Sequence, residues 1–295
     1  MQRFILSFAA WAARVFPMPL KRALYRFKPL ARLIRGGLNR AAPQGLSTVA
    51  IAAGGLQGQR MALDLQSEKD YWLGVYEPQL QSALKDLARP GDVIYDLGAN
   101  IGYITLLAAK LVGAQGRVHA FEALPDNQTR LHQNIALNML EQRVTVYCGA
   151  VTDRPGEVSF LVGPSGGTGK AAGSAGRQGL EYVQELHVPG ISLDAYVFEQ
   201  NQPPPDVVKI DIEGGEMLAL PGMQRVLAEA KPVVLIELHG QEAGRVVWQT
   251  LVDAGYSFHE MRTGFPPAPP LERLDWKSYL VSLPPGGRSP MERPA

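Results

Sequence analysis

The sequence predicts an α/β protein, a parallel sheet covered by helices on both faces, with a helical extension ahead of it. Two observations carry this. From about Tyr76 onward, short runs rich in Val and Ile alternate with segments of helical spacing, the pattern of strands joined by crossover helices. The first of these runs, VIYDL, ends in an acid and passes through the turn Gly98-Ala99-Asn100-Ile101-Gly102 into an apolar helix. That is how a strand meets a helix at the ligand-binding edge of an open α/β sheet. A length of 295 residues and an apolar fraction of 46% suffice for one large domain with appendages.

Residues 1–40 stand apart from this pattern. No Asp or Glu occurs from Met1 to Ala62, whereas Arg3, Arg14, Lys21, Arg22, Arg26, Lys28, Arg32, Arg35, Arg40 and Arg60 are basic, an asymmetry hidden in a net charge of +1. Two helices are predicted, split at Phe16–Pro19 because proline interrupts the hydrogen-bond ladder. The first, Arg3–Phe16, is apolar nearly all round. The second, Leu20–Arg35, puts Leu20, Ala23, Leu24, Phe27, Leu30, Ala31 and Ile34 on one face and Lys21, Arg22, Lys28, Arg32 and Arg35 on the other, with a bend at Pro29. This fits a peripheral anchor at the cytoplasmic membrane surface, its basic side on anionic headgroups. Each well-placed cation would contribute on the order of 1 kcal/mol. The alternative is a helix pair packed on the protein's own core. A signal peptide is imitated only by the first residues, and a spanning helix needs about 20 apolar residues, a run that Arg14 and the prolines interrupt.

Residues 41–75 read as a small β segment, with a hairpin over Gly45–Gln66. The α/β domain is placed at 76–284. Its core strands fall at 92–99, 117–123, 143–151, 206–214 and 232–240, with helices from Tyr103, around Asn127–Asn138, over Met217–Ala230 and around Glu242–Ala254. Between the third and fourth core strands, 156–162 and 182–190 read as a β-hairpin inserted over about 152–190. A Gly/Ser-rich mobile loop at 163–179 joins its strands. The run WKSYLVSL, from Trp276, supplies a last strand, and residues 285–295 read as a disordered tail. The one cysteine, Cys148, lies in a strand-like run and reads as a buried structural thiol, in keeping with a reducing compartment.

The glycine turn narrows the ligand. A dinucleotide site wants G-x-G-x-x-G, with glycine where Asn100 stands, and no P-loop string is present. This disfavours a nicotinamide-dependent oxidoreductase. A phosphate-free nucleotide such as S-adenosylmethionine fits better. Glu122, 24 positions after Gly98, is near the roughly 20-residue offset of ribose-binding acids. Asp96 can order the turn and accept a hydrogen bond from the ligand's ammonium, while Gly98 and Gly102 permit close backbone approach. On the strings DLGANIGYITLLAA, VHAFEALPDNQTRLHQNIALN, DVVKIDIEGGE and VLIELHG, the chain from roughly Tyr76 to His239 resembles the FkbM-type S-adenosylmethionine-dependent methyltransferase family. The resemblance implies a Rossmann-like, seven-stranded class I methyltransferase sheet, mostly parallel with one reversed strand near the C-terminus. It implies O-methylation of hydroxyls on sugars, glycolipids or polyketide-like products. It puts Asp96, Gly98, Asn100, Gly102 and Glu122 on cofactor positions, and Glu77 of YEP against the cofactor's methionine end. Ala123 departs from the family's usual proline after the acid.

Catalytic candidates gather at the mouths of two later strands. KIDIEGGE carries Lys209, Asp211, Glu213 and Glu216, and IELHG carries Glu237 and His239. Alternation by two puts Lys209, Asp211 and Glu213 on one side, and Glu237 with His239 likewise. Methyl transfer to an alcohol gains from a base. His239 is the first candidate because an unperturbed imidazole titrates near neutrality, and Asp211 is the second. The same residues also have a structural explanation, a buried Lys209–carboxylate pair. No metal ligand set is assigned from spacing, although acids with a histidine could hold Mg²⁺. A non-catalytic module binding membrane or nucleic acid through residues 1–40 is the remaining alternative. Nucleic acid is disfavoured because the basic face alternates with a greasy face rather than with stacking aromatics.

Overall fold

The structure, a computed structural model, describes residues 2–16, 28–164, 169–175, 181–274 and 278–287. It forms two compact units, Met1–Pro78 with Ala136–Met139, and Gln79–Ile135 with Leu140–Ala295.

The first unit contains α1 (Gln2–Val15), α2 (Lys28–Ala41), an antiparallel pair β1 (Leu46–Ala50) and β2 (Arg60–Asp64), and the short α3 (Lys69–Trp72). The predicted hairpin over Gly45–Gln66 is present. Asn138 closes it from outside, accepting from the Arg60 amide at 2.9 Å and donating to the Arg60 carbonyl at 2.7 Å. The predicted second helix is present from Lys28, and it runs on to Ala41, past the expected end at Arg35. Pro29 falls in its first turn, where no amide partner is lost, so it starts the helix instead of bending it. Leu20–Phe27 and the predicted break at Pro17–Pro19 lie outside the described residues.

The second unit opens with α4 (Pro78–Leu87) and is built on a seven-stranded sheet. Its strands are β3 (Val93–Leu97), β4 (Arg117–Glu122), β5 (Val144–Cys148), β10 (Val207–Ile210), β11 (Val233–Glu237), β12 (Ser257–Glu260) and β13 (Tyr279–Leu283). They lie in the order β12-β13-β11-β10-β3-β4-β5, all parallel except β13, which runs against both neighbours. The central strands are buried nearly throughout, so they read as continuous apolar runs and not as alternation. Helices α5 (Tyr103–Val112), α6 (Pro125–Leu137) and α8 (Gln241–Asp253) make the crossovers. Strand order reverses between β3 and β10. That reversal brings the ends of these two strands together, where an open α/β sheet binds its ligand.

Several expectations are corrected. The strand placed at 143–151 breaks at Gly149, where a Cβ would stand 2.3 Å from the Pro189 carbonyl oxygen. The next strand, β6 (Ala150–Val151), joins a second sheet with β7 (Gly156–Val162), β8 (Gly169–Ala171) and β9 (Gln184–Ile191). The inserted hairpin is β7 against β9, and β8 occupies part of the segment expected to be a mobile loop. Residues 165–168 and 176–180 of that loop lie outside the described residues, as do 288–295 of the expected tail. Cys148 is exposed, because β5 is the terminal strand of its sheet. The helix over Met217–Ala230 is broken into α7 (Glu216–Ala219), a 3₁₀ turn at Leu220–Met223 and a π turn at Val226–Ala230. Pro221 cannot donate there, and a Cβ on Gly222 would stand 2.3 Å from the Thr152 carbonyl oxygen.

A buried histidine gives one expectation for stability. His119 is buried against Tyr95 and Tyr196, with Nδ1 2.8 Å from the Tyr196 hydroxyl. Burial first, and Arg117 second, push its pKa down from 6.5 to about 4. A depressed histidine stabilises fully above its unfolded pKa and stops doing so as pH falls through the folded one. Urea unfolding should therefore show stability declining between pH 6.5 and 4, by roughly 3 kcal/mol from this group. His119→Phe should show a shallower decline.

Candidate functional site

The site begins with a buried ion pair under the glycine turn. Parallel register sets Lys209 of β10 beside Asp96 of β3. Lys209 Nζ lies 3.0 Å from Asp96 Oδ1 and donates to the carbonyls of Leu97 and Gly98 at 3.1 and 2.8 Å. Asp96 Oδ2 accepts from the Thr105 hydroxyl at 2.6 Å, in the first turns of α5. Asp96 is fully buried and Lys209 nearly so. Of the two roles expected of Asp96, this geometry serves the ordering of the turn, since the chain's own groups hold the carboxylate.

The turn itself needs three residues with positive φ: Gly98 at 77°, Asn100 at 51° and Gly102 at 93°. The glycines were expected to admit a ligand; the close approaches they allow are internal. A Cβ on Gly98 would stand 2.0 Å from the Asp211 carbonyl oxygen, and one on Gly102 would stand 2.6 Å from Leu131 Cδ1. Asn100 adopts the left-handed conformation that asparagine tolerates, and its amide donates to Glu122 Oε2 at 2.8 Å. Glu122 Oε1 accepts from the Leu124 amide at 2.9 Å and from Asn127 Nδ2 at 3.3 Å. Burial pushes the Glu122 carboxyl up, against these hydrogen bonds, which favour the charged form.

The donor set fits S-adenosylmethionine better than a dinucleotide. A carboxylate has taken the turn amide that a phosphate would need, and places negative charge where a pyrophosphate would sit. An acid here instead suits ribose hydroxyls and a cationic ligand.

The second cluster lies at the mouths of β10 and β11 and is joined to the first through Asp211, whose Oδ2 is 3.9 Å from Lys209 Nζ. Strand β10 stops at Ile210, and the chain turns through Glu213 at φ 54°. The regular alternation expected for Lys209, Asp211 and Glu213 therefore ends early. Lys209 goes to Asp96, while Asp211 and Glu213 turn to His239. His239 is 2% exposed. Its Nδ1 is 2.8 Å from Glu216 Oε1. Its Nε2 faces Asp211 Oδ1 at 3.6 Å, Glu213 Oε2 at 3.7 Å and Glu237 Oε1 at 3.8 Å. Burial is the largest single influence on this imidazole and lowers its pKa, but the surrounding carboxylates, Glu216 foremost, raise it to about 9. The group expected to titrate near neutrality is held protonated by its neighbours. Glu237 is pushed up by burial and then by Asp211.

The structure thus brings together Asp96, Gly98, Lys209, Asp211, Glu213, Glu237 and His239, with Asn100 and Glu122 closing the other side of the turn. Glu77 belongs to the first unit, at φ 39°. Two partners escaped sequence reasoning, Thr105 on Asp96 and Asn127 on Glu122, and Glu216 was singled out without its role of holding His239. Only Glu216 had a visible signal, as the last acid of KIDIEGGE.

An acid-closed glycine turn at the strand-order reversal fits a protein of the methyltransferase class. The chain belongs to the FkbM family: the family model described as Methyltransferase FkbM domain matches residues 96–263. Among characterised relatives, the hexuronic acid methyltransferase AglP of Haloferax volcanii is 29% identical over 196 residues, covering 66% of this chain and 72% of that one. Among solved structures, the FkbM methyltransferase of Methylobacillus flagellatus superposes with a TM-score of 0.45 at 16% identity, covering 74% of this chain and 53% of that one. This chain therefore spans about half the length of that structure. Aeropyrum pernix fibrillarin, solved with S-adenosyl-L-methionine, gives a TM-score of 0.42 at 13% identity, over 70% and 74% of the two chains.

Proposed function

We propose that this methyltransferase moves the methyl group of S-adenosylmethionine to a hydroxyl of a sugar acceptor, at a membrane surface. The observation that carries the reading is the Glu122 carboxylate closed onto the Asn100 amide at the glycine turn. When bound, S-adenosylmethionine supplies an electrophilic methyl on a sulfonium. Glu122 accepts the ribose hydroxyls. Lys209 and Asp96 lock the turn against the end of β10, so that the cofactor edge and the acidic mouth keep a fixed spacing. Holding reactants in line can supply roughly 7–11 kcal/mol. At the mouth, Asp211 and Glu213 are the less buried acids and are placed to accept the proton of the acceptor hydroxyl.

The sugar assignment draws on the Haloferax relative, named for a hexuronic acid. A hexuronic acid offers both hydroxyls and a carboxylate for methylation. A mouth lined by three carboxylates, Asp211, Glu213 and Glu237, repels a carboxylate acceptor and suits a hydroxyl, which needs a base. Asp211→Asn is expected to lower kcat by about a hundredfold or more with little change in cofactor affinity. An equal loss in both would make Asp211 a cofactor-binding residue instead. The direct experiment incubates the protein with methyl-labelled S-adenosylmethionine and either membrane lipids or the water-soluble extract. Label in a glycolipid, lost on Glu122→Ala, supports the whole reading. Label only in soluble sugars removes the membrane from it.

Membrane attachment rests on the first unit. On α1, Phe8, Trp11 and Val15 are exposed at a spacing that puts them on one side, in a segment without acids up to Ala62. No helix among the described residues is long and apolar enough to cross a membrane. The protein should float with vesicles of anionic lipid and sediment without them, and Phe8→Ser with Trp11→Ser should abolish flotation. Flotation unchanged by the substitutions would remove α1 from the account.

A further inference from the structure

We propose that Asp211, Glu237 and His239 form a binding site for one divalent cation of the Mn²⁺ type, with Glu213 at its side. The proposal deepens the methyltransferase reading, on which it rests only for its purpose. Asp211, Glu237 and His239 each present one ligand atom, all within 4.8 Å of one another. The three carboxylate oxygens facing His239 Nε2, at 3.6, 3.7 and 3.8 Å, lie beyond hydrogen-bond length. Two donors bound to one ion at about 2.1 Å stand about 3.0–3.6 Å from each other. The imidazole-to-carboxylate distances therefore need to shorten by only a few tenths of an ångström, while the carboxylate oxygens, within 4.8 Å of one another, draw together around the ion.

The second observation is the imidazole itself. Its Nδ1 is engaged by Glu216 Oε1, which is fully buried and also accepts the Ile212 amide. Without an ion the ring is held protonated; a cation displaces the Nε2 proton to solvent, Nδ1–H stays on Glu216, and the freed Nε2 lone pair points into the three acids. A carboxylate that fixes the far nitrogen is the usual outer partner of a metal-binding histidine. Charge argues the same way. Four carboxylates surround one imidazole, and Lys209, the lysine paired with Asp211 among the described residues, sits closer to Asp96 than to Asp211. Buried carboxylates need a compensating cation.

The donor set selects the ion. Mg²⁺ favours an all-oxygen octahedron and keeps its waters, and a thiolate-preferring ion finds no sulfur in this set. Carboxylates suit Mn²⁺ and imidazole suits first-row ions of the same series, so a mixed set of two carboxylates and one imidazole fits a Mn²⁺-type ion. Three protein donors leave positions open for two oxygens of a sugar diol.

The test titrates Mn²⁺ into the full chain and reads bound metal by electron paramagnetic resonance, with S-adenosylhomocysteine affinity measured on the same samples. One bound Mn²⁺ per chain is expected, with the spin coupling of one directly bonded nitrogen. The coupling should vanish in His239→Gln. Affinity should fall more than about tenfold in Asp211→Asn and in Glu237→Gln, while S-adenosylhomocysteine still binds and shows that the variants are folded. Mn²⁺ bound only at the level of the Asp211→Asn/Glu237→Gln double variant, or bound without nitrogen coupling, overturns the site. If Mn²⁺ binds as expected but S-adenosylhomocysteine does not, the cation site stands and the methyltransferase reading fails.

Discussion

Glu122→Ala is expected to weaken S-adenosylhomocysteine binding at least about a hundredfold. A hydrogen bond to a charged acceptor contributes about 1.5–3 kcal/mol, and two ribose hydroxyls lose theirs together, which exceeds the roughly 2.7 kcal/mol of a hundredfold change. The substitution also orphans the amides of Asn100 and Leu124, so part of the loss comes from a turn no longer held in its left-handed shape. Glu122→Gln separates the two contributions. It keeps one oxygen, for the Asn100 or the Leu124 amide but not both, and removes the charge, so it should retain more thermal stability than Glu122→Ala while losing about tenfold in affinity. Calorimetry and melting curves on both variants check this. Near-normal affinity in Glu122→Ala would take the ribose away from this residue.

Lys209→Met is the larger effect on stability. It leaves the Asp96 carboxylate fully buried with one hydroxyl donor, Thr105, and removes donors from the Leu97 and Gly98 carbonyls. Breaking a buried pair from one side costs about 3–5 kcal/mol. Denaturant unfolding should show a loss of that size. Adding Asp96→Asn should restore a large part of it, because no buried charge is then left alone. A double variant as unstable as the sum of the singles would mean the pair is not the feature holding the turn.

How much of this was legible in the sequence depends on which forces act locally. The alternation of apolar runs and helical spacing revealed the sheet, and the family resemblance supplied the reversal of β13 near the C-terminus. Asp96, Asn100 and Glu122 were legible because a strand-end acid and a glycine turn are local patterns. What those glycines are for was not: Gly98 and Gly102 make room for the Asp211 carbonyl and for Leu131, contacts set by tertiary packing. Cys148 was misread because a strand pattern does not say whether the strand is central or terminal. The helix after Glu216 was overextended, since its apolar spacing continues through Pro221 and Gly222 although its hydrogen bonding changes there. His239 was picked out as a titrating group, yet its protonation is decided by burial against three acids, Glu216, Asp211 and Glu213, which all follow the point where β10 stops. Periodicity could not place that turn.

The central claim is methyl transfer to a sugar hydroxyl, and the chemical form of the product tests it most directly. Methyl-labelled S-adenosylmethionine is incubated with the protein and a glycan containing a hexuronic acid, and the purified product is treated with mild alkali. The account predicts label retained on the sugar, because an ether made at a hydroxyl survives. Label released as methanol, the mark of an ester made at the carboxylate, would contradict it, as would no transfer to the glycan.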